Sequence, residues 1–385
     1  MEEMKIKVMH IAQAPGGVER YIQMLLKYMD DASFDNILVG SNDYHHENYQ
    51  KLVSSFENVE MQRNINLKGD LYSIIEIRKL IKKYNPNVIY MHSSKAGAVG
   101  RLASFGFRKI KFYNPHGWAF NMDCGDKKKK LYRFIETILS FLCTKIIAIS
   151  NFEKCSALAN RVCKENKIRV IYNGVDIEDY NSRKSTFQIK RSQLGIPETA
   201  VVFGTVGRLS KQKAPDIFVK TARLIKNVIP DAYFVFVGSG EDEQKVKALV
   251  SELKLDECVK ITGWVSEPMQ YIEWFDVAFL LSRWEGFGLV LAEYMLAKKP
   301  IVATAVDAIP NVIRSEYNGV LVGVDSPEEA CNAAIRIVSD RAFRERLINN
   351  GYTTVYERFD IKRVAVETQE LIRGIINEKH LKEYR

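Results

Sequence analysis

The sequence predicts an α/β protein made of two doubly wound domains in tandem. Its 385 residues exceed what a single hydrophobic core usually serves. Short runs rich in Ile, Val, Tyr and Phe alternate with amphipathic helical patterns, which is the signature of β-α-β units and a parallel sheet. The alternation lapses once, in the polar stretch DIEDYNSRKSTFQIKRSQLGIPE (176–198), and then resumes. The boundaries that follow are a first domain over 1–178, a linker over 179–198, a second domain over 199–362 and a last helical segment over 363–385.

In the first domain the strand-like runs are KIKVMHI, NILVG, NVIYMH, KIKFYN, KIIAIS and KIRVIYN, with helical stretches such as DLYSIIEIRKLIKKY between them. In the second they are AVVFGTVG, YFVFVGSG, CVKITGW, VAFLL, PIVAT and GVLVG. Helices are expected there at about 214–227, 240–254, 289–298, 327–350 and 361–379. No short repeat of solenoid period is present. Ligands of such sheets sit at the carboxyl ends of strands, so a cleft between the two domains is where chemistry is expected.

A composition 46% hydrophobic and 27% charged is that of a soluble globular chain. The start, Met1-Glu2-Glu3, is acidic, so no secretory signal is read there. The most apolar stretch, FIETILSFLCTKIIAIS, is broken by Glu136 and Lys145 and is too short to span a bilayer. The expectation is a cytoplasmic protein. The six cysteines show no C-x-x-C pair and no zinc-like grouping with histidine, and read as reduced core thiols.

The net charge of +9 lies mostly in the first half: 27 basic against 20 acidic residues over 1–180, and 29 against 27 over 181–385. Residues 78–145 alone hold 15 basic and 3 acidic residues. An anionic partner is expected on this half. Nucleic acid is a poor candidate, because no binding module and no aromatic interleaving accompany the charge. In DKKKKLYRFIETILSFLC, apolar residues at 131, 134, 135, 138, 139 and 142 define one helical face behind a lysine-rich start. The face reads as core, and the lysines suit either solvent or an anionic membrane surface.

Four segments can carry chemistry. MKIKVMHIAQAPGGVERYIQMLLKYM runs strand, glycine loop, helix, and Gly16 and Gly17 permit a tight turn before a helix start that can face an anion. The alternative is a plain βα turn, and the full G-x-G-x-x-G spacing of a nicotinamide site is missing. FYNPHGWAFN sets His116 in a loop after a strand, either to donate or shuttle a proton or to serve the structure. GTVGRLSKQKAPD puts Gly207 and Arg208 at a strand end and Lys211 and Lys213 before a helix, an arrangement suited to a diphosphate. RWEGFGLVLAEYMLAKKPIVAT separates Glu285 from Glu293 by Gly286 and Gly288. These glycines start the helix near Leu289, so Glu285 falls on the loop and Glu293 about one turn inside the helix. The amides of Gly288 and Leu289 then suit phosphate oxygens and the two carboxylates suit sugar hydroxyls. No D-x-D occurs, so no metal-chelating pair of that kind is expected.

Taken together these segments resemble the GT-B glycosyltransferases of family 4, the retaining, nucleotide-sugar-dependent group whose two Rossmann-like domains face each other across a cleft. EGFGLVLAE looks like the family's E-x7-E motif, VGRLSKQKAPD like its diphosphate loop, and VIYNGVD like the segment closing its first domain. MHSSKAGAVGRLAS and NPHGWAF look like acceptor-domain segments of members that build capsular or exported polysaccharides. The resemblance implies that Arg208 and Lys213 neutralise the donor diphosphate, that Glu293 holds the ribose, and that Glu285 approaches the donor sugar. Gly286, Phe287, Gly288 and Leu289 would line the same donor site, and Gly207 would precede its arginine. Trp264 and Val265, after Gly263, match the base contact, while Gly16, Gly17 and His116 would close over sugar and phosphate from the first domain. The last helix would cross back onto that domain.

The chain departs from the family at Asp307-Ala308, where glycines are usual, and at Ala214-Pro215, where a glycine usually follows the lysine. The implied reaction is hexose transfer with retention from a UDP-, dTDP- or GDP-sugar, UDP first, to a lipid-linked saccharide. It would need no metal and would take place on the inner face of the cell membrane. Front-side displacement and a covalent carboxylate intermediate both stay open. A sugar phosphorylase, a nucleotide-sugar epimerase and a non-catalytic nucleotide-sugar sensor are the competing classes.

Overall fold

A computed structural model describes residues 5–13, 15–62 and 64–383, with side chains through 378; the acidic start at Met1–Glu3 lies outside the described residues. The chain forms two units, one of residues 1–174 with 361–385 and one of residues 175–360.

Among the described residues the first unit holds a seven-stranded sheet. Its strands are β1 (Ile6–Ala12), β2 (Phe34–Gly40), β3 (Ser55–Asn58), β4 (Val88–His92), β5 (Ile110–Asn114), β6 (Lys145–Ala148) and β7 (Ile168–Val170). They are ordered β3-β2-β1-β4-β5-β6-β7, and each pairing is parallel. The polar segment SFEN of β3 was not read as a strand; it is an edge, paired on β2 alone, so it needs no apolar run. Helices α1 (Gly17–Tyr28), α2 (Leu67–Tyr84), α3 (Ser94–Ala103), α4 (Asp126–Ser140) and α5 (Asn151–Ala159) connect the strands.

Strand alternation divides this sheet into two unlike faces. Met9, Ile11, Ile89, Met91 and Tyr113 join Ile77 and Ile81 of α2 and Ala96 and Val99 of α3 in one apolar core. The opposite face carries His10, Tyr90, His92 and Asn114, all fully buried, with Tyr21 of α1 packed near them.

The second unit holds β8 (Val201–Val206), β9 (Ala232–Val237), β10 (Val259–Ile261), β11 (Val277–Leu280), β12 (Ile301–Thr304) and β13 (Val320–Val322), ordered β10-β9-β8-β11-β12-β13 and again parallel. Its helices are α6 (Ile177–Arg183), α7 (Pro215–Val228), α8 (Glu243–Glu252), α9 (Met269–Ile272), α10 (Leu289–Leu296), α11 (Ile309–Val312), α12 (Pro327–Ser339) and α13 (Arg341–Arg358). The pattern read as one helix over 327–350 is two, because Asp340 is extended and its carboxylate accepts from Phe343 N–H to start α13. Residues 175–198 fold with this unit: the Arg191 guanidinium donates to the carbonyls of Glu198, Ala200 and Trp274, and Lys184 pairs with Glu273 at 3.0 Å.

Helix α14 (Ile361–Glu383) belongs to the first unit and packs on α1. Val364, Ala365, Thr368 and Ile372 are buried, Gln369 accepts from Asp30 N–H, and Arg363 donates to the Tyr172 carbonyl at 2.8 Å.

Helix α4 follows the sequence reading only in part: Leu139 is buried and Ile135 and Leu142 are half-buried. Leu131, Phe134 and Ile138, expected in the core, are 47%, 63% and 49% exposed, and Phe141 just beyond is 75% exposed. Beside Leu139 the buried face carries the polar residues Glu136 and Ser140. Glu136 accepts from the Arg101 guanidinium at 2.8 Å and from the Tyr113 hydroxyl at 2.7 Å, and Arg101 also donates to the Gly97 carbonyl and lies over the Tyr113 ring. Burial opposes the Arg101 charge, but Glu136, Tyr113 and Cys143 together hold the guanidinium above its ordinary value and so protonated. The cysteines are free, as expected, but only Cys143, Cys258 and Cys331 are core; Cys155 is exposed and Cys124 and Cys163 are partly so.

Candidate functional site

In each sheet the order reverses between two central strands, β1 and β4 in the first unit and β8 and β11 in the second, and at such a point the outgoing loops diverge and leave room for a ligand. Gly16 and Gly17 follow β1, and Gly207, Arg208, Lys213 and Glu285 to Glu293 follow β8 and β11 at these points, whereas His116 follows β5 and Gly263 to Val265 follow the edge strand β10.

In the second unit β8 runs out into Gly207-Arg208, and β11 into the loop ending at Gly288. The two loops are stitched together: Arg283 N–H donates to the Gln212 carbonyl at 2.8 Å, and the Gln212 amide donates to the Trp284 carbonyl at 3.0 Å. The Lys213 ammonium is paired with the Glu285 carboxylate, which also accepts from Ser282 Oγ at 3.3 Å. Arg208 is exposed and, among the described residues, has no carboxylate partner. Its positive charge is therefore unspent, unlike that of Arg283, which Asp216 and Asp325 hold at 2.7 and 2.8 Å.

Gly288, at φ +77°, begins α10, and a Cβ there would lie 3.0 Å from Leu280, so both backbone and packing call for glycine. Helix α10 is two residues shorter than expected, because Lys298 takes φ +57° after the Ala297 cap. Glu293 is buried at 5% exposure inside α10. Phe287 turns inward onto Phe359, rings 5.5 Å apart, so its side chain serves packing, while Gly286 and Leu289 are half-buried. Gly263, at φ +73°, bridges to Gly238; Trp264 after it is 78% exposed and Val265 half-buried.

Three residues build this frame: Gly238, which sequence reading passed over, and Asp307 and Ala214, which it marked only as departures from the family. Gly238, at φ +139°, approaches so closely that a Cβ would sit 2.0 Å from the Gly207 carbonyl oxygen. Asp307, at φ +48° where the family usually has glycine, accepts from Glu285 N–H at 3.0 Å, while Ala308 N–H donates back to the Glu285 carbonyl. Ala214 similarly accepts a left-handed φ of +48° ahead of Pro215, which starts α7. Both departures are thus built into the backbone that carries Lys213 and Glu285.

In the first unit Gly16, at φ +82°, caps α1 and Gly17 opens it, both exposed with open space around them. Burial raises the Glu19 carboxyl, opposed by a hydrogen bond from the Gly16 N–H, so the chain's own carboxylate occupies part of this helix start. His116, at φ +51°, follows β5, and its N–H donates to Asn114 Oδ1 at 3.0 Å. Its Nε2 lies 3.2 Å from His92 Nδ1, and its ring meets Tyr21 edge-on at 4.7 Å. Burial lowers it to about 3, so the imidazole is neutral at physiological pH.

Beneath this loop Glu153 of α5 is fully buried. Trp118 Nε1 donates to its main-chain carbonyl, its carboxylate accepts from Ile149 N–H, and burial pushes it up to about 8. The folded chain therefore binds this proton more tightly than the unfolded one, whose glutamate titrates near 4.5. The stabilisation is full below about 4.5 and lost as pH rises through about 8. Glu153→Gln removes this pH dependence, and thermal unfolding between pH 5 and 9 should show the variant gaining on wild type as pH rises.

Two family models match the chain. "Glycosyltransferase Family 4" covers residues 15–179, and "Glycosyl transferases group 1" covers residues 186–354. The chain belongs to the family 4 glycosyltransferases. The transferase is 28% identical over 377 residues to the Escherichia coli UDP-Gal:alpha-D-GlcNAc-diphosphoundecaprenol alpha-1,3-galactosyltransferase, covering 94% of this chain and 97% of that one. It is 25% identical over 360 residues to the Staphylococcus aureus capsular polysaccharide biosynthesis glycosyltransferase CapM, at 92% and 93% coverage. Among solved structures, Anabaena HepE in complex with UDP and glucose superposes with TM-score 0.81 at 22% identity over 96% of this chain and 99% of that one. The fold of the transferase is therefore GT-B, and it uses a nucleotide-sugar donor. Among the described residues no helix is long and apolar enough to cross a membrane, and no group of three His, Cys, Asp or Glu is placed to hold a metal ion.

Proposed function

We propose that this transferase moves a hexose from a UDP-sugar to a hydroxyl of a polyprenyl-linked saccharide, with retention and without a metal ion, at an anionic membrane surface. The observation that carries the reading is the clustering of Arg208, Lys213 and the start of α10 at the switch point of the second sheet. Fixed positive charge there meets the charge growing on a leaving diphosphate, the largest kind of stabilisation such a site can supply. Glu293 takes the ribose hydroxyls and Gly263 to Val265 take the base, and in the first unit His116, Gly16 and Gly17 serve as substrate contacts. The E. coli relative, whose acceptor is a diphosphoundecaprenol-linked sugar, supports the choice of acceptor. The test is UDP release from a panel of UDP-, dTDP- and GDP-sugars with a polyprenyl-diphosphate GlcNAc acceptor, in EDTA, with the product anomer read by NMR. Release dependent on added metal, or an inverted product, overturns it.

Glu285 is already committed to Lys213 and Ser282. A carboxylate so engaged is a poor nucleophile, which supports front-side displacement with a donor phosphate oxygen taking the acceptor proton. Glu285→Gln then retains turnover, lowered roughly 10- to 100-fold by the loosened lysine. Intact-mass measurement should find no glycosyl adduct in the wild type during turnover, and a trapped adduct on Glu285 would decide for the covalent route.

The exposed side of α4 supports membrane docking. Lys127, Lys128 and Lys130 are exposed beside Leu131, Phe134, Ile138 and Phe141, and the end of α3 adds Leu102 and Phe105, 44% and 64% exposed. Basic residues ahead of an apolar helical face suit an anionic bilayer, each lysine contributing about 1 kcal/mol near the surface. Phe134→Ser with Phe141→Ser should abolish flotation with anionic vesicles while leaving UDP binding unchanged.

A further inference from the structure

We propose that Asn36, His10 and His92 form a directional hydrogen-bond chain that holds His116 protonated on Nε2 and leaves its Nδ1 as an acceptor for a substrate hydroxyl. This rests on the reading of His116 as a substrate contact. The chain runs from Asn36 Oδ1 to His10 Nε2 at 3.3 Å, from His10 Nδ1 to His92 Nε2 at 3.2 Å, and from His92 Nδ1 to His116 Nε2 at 3.2 Å. Consecutive ring planes are inclined by only 13° and 30°, with centroids 5.4 and 5.5 Å apart. Strand register builds it: Ala12 of β1 pairs with His92 of β4, which pairs with Asn114 of β5, so His10 and His92 share the face that His116 joins from the following loop.

Burial lowers His10 to about 4, His116 to about 3, and His92 well below its ordinary value, the last helped by its two histidine neighbours. At neutral pH each ring thus carries one proton, and a neutral imidazole has one donor and one acceptor. The chain can therefore run only one way at a time. With the Asn36 oxygen as terminal acceptor, His10 donates from Nε2, His92 donates from Nε2 to His10, and His116 donates from Nε2 to His92. The groups facing the rings, the hydroxyls of Tyr21 and Tyr90, are themselves held neutral by burial, and Arg363 is the nearby charge felt by Tyr21.

Two further features mark these strand ends as a place for a ligand. Ser93 Oγ is buried without a hydrogen-bond partner, and Ser93, like His116, holds a positive φ that costs a non-glycine residue energy. Ser93 follows β4, which ends in His92, and His116 follows β5 beside it. His10 and His92 act through His116 and are positioning residues.

The test combines ring ¹⁵N NMR of the full chain with two substitutions at His92. The wild type at neutral pH should show all three rings protonated on Nε2. His92→Gln can continue the chain, its amide donating to His10 and its oxygen accepting from His116, and should keep kcat within about tenfold of wild type. His92→Phe keeps the ring shape but breaks the chain, and should lose about a hundredfold in kcat with little change in donor KM. A Phe variant as active as the Gln variant would mean packing alone and overturns the proposal. His116 found protonated on Nδ1 overturns the direction while leaving His116 as a substrate contact. Full activity of His116→Ala with the Nε2 signals intact in the wild type removes the substrate contact, and with it the role given to Nδ1.

Discussion

Arg208→Ala lowers kcat/KM by roughly a thousandfold, about 4 kcal/mol of transition-state stabilisation, and leaves the melting temperature of the transferase where it was. The two halves of this expectation have one source. Arg208 stands exposed at the end of β8 without a carboxylate partner among the described residues, so removing it breaks nothing in the resting fold. Its charge becomes valuable only when a diphosphate is leaving. Lys213→Ala should cost activity on the same scale and also lower stability, since it strands the nearly buried Glu285 without its ion pair. Arg208→Lys should recover only part of the loss, because an ammonium keeps the charge but not the planar, two-pronged donor geometry. Donor-varied kinetics beside thermal unfolding separates the two; an Arg208→Ala enzyme within fivefold of wild type would remove Arg208 from the diphosphate site.

Arg101→Met should destabilise the first unit by about 3 to 5 kcal/mol, the usual consequence of leaving one member of a buried pair without the other. Arg101 is completely buried and Glu136 nearly so, with the Tyr113 hydroxyl on the other carboxylate oxygen. The loss corresponds to roughly 10 °C in the unfolding transition of a unit this size. Adding Glu136→Leu should restore most of it, because the surviving charge is removed and the site becomes apolar. Urea unfolding of both variants measures this, and equal stability of single and double variants would show that Glu136 finds another partner. The pair also bears on α4, since it lets the helix pack through a polar contact and leaves Leu131, Phe134 and Ile138 exposed.

That helix shows where sequence reading stops. Apolar spacing at 131, 134, 135, 138, 139 and 142 identifies an amphipathic helix, but periodicity cannot tell that Leu139 meets the protein while Leu131, Phe134 and Ile138 do not, because a buried ion pair shares the contact. The histidine chain was hidden for a related reason. His10 and His92 sit 82 residues apart within runs that read as ordinary strands, and only the parallel register of β1 on β4 brings them together. The closeness of Gly238 to the Gly207 carbonyl and the hold of Asp307 on Glu285 are likewise contacts across a sheet, invisible to local pattern.

By itself the sequence determined the two α/β sheets, through short apolar runs set between helical periods, and the start of α10 at Leu289, through the glycines that precede it. Both follow from backbone preference and side-chain period, which act within a few residues. The tertiary structure decided how those residues are used: which carboxylate Lys213 holds, why Arg208 is left with its charge unspent, and which side of α4 faces outward. Such choices depend on burial and on partners tens of residues away, and neither exists until the sheets have formed.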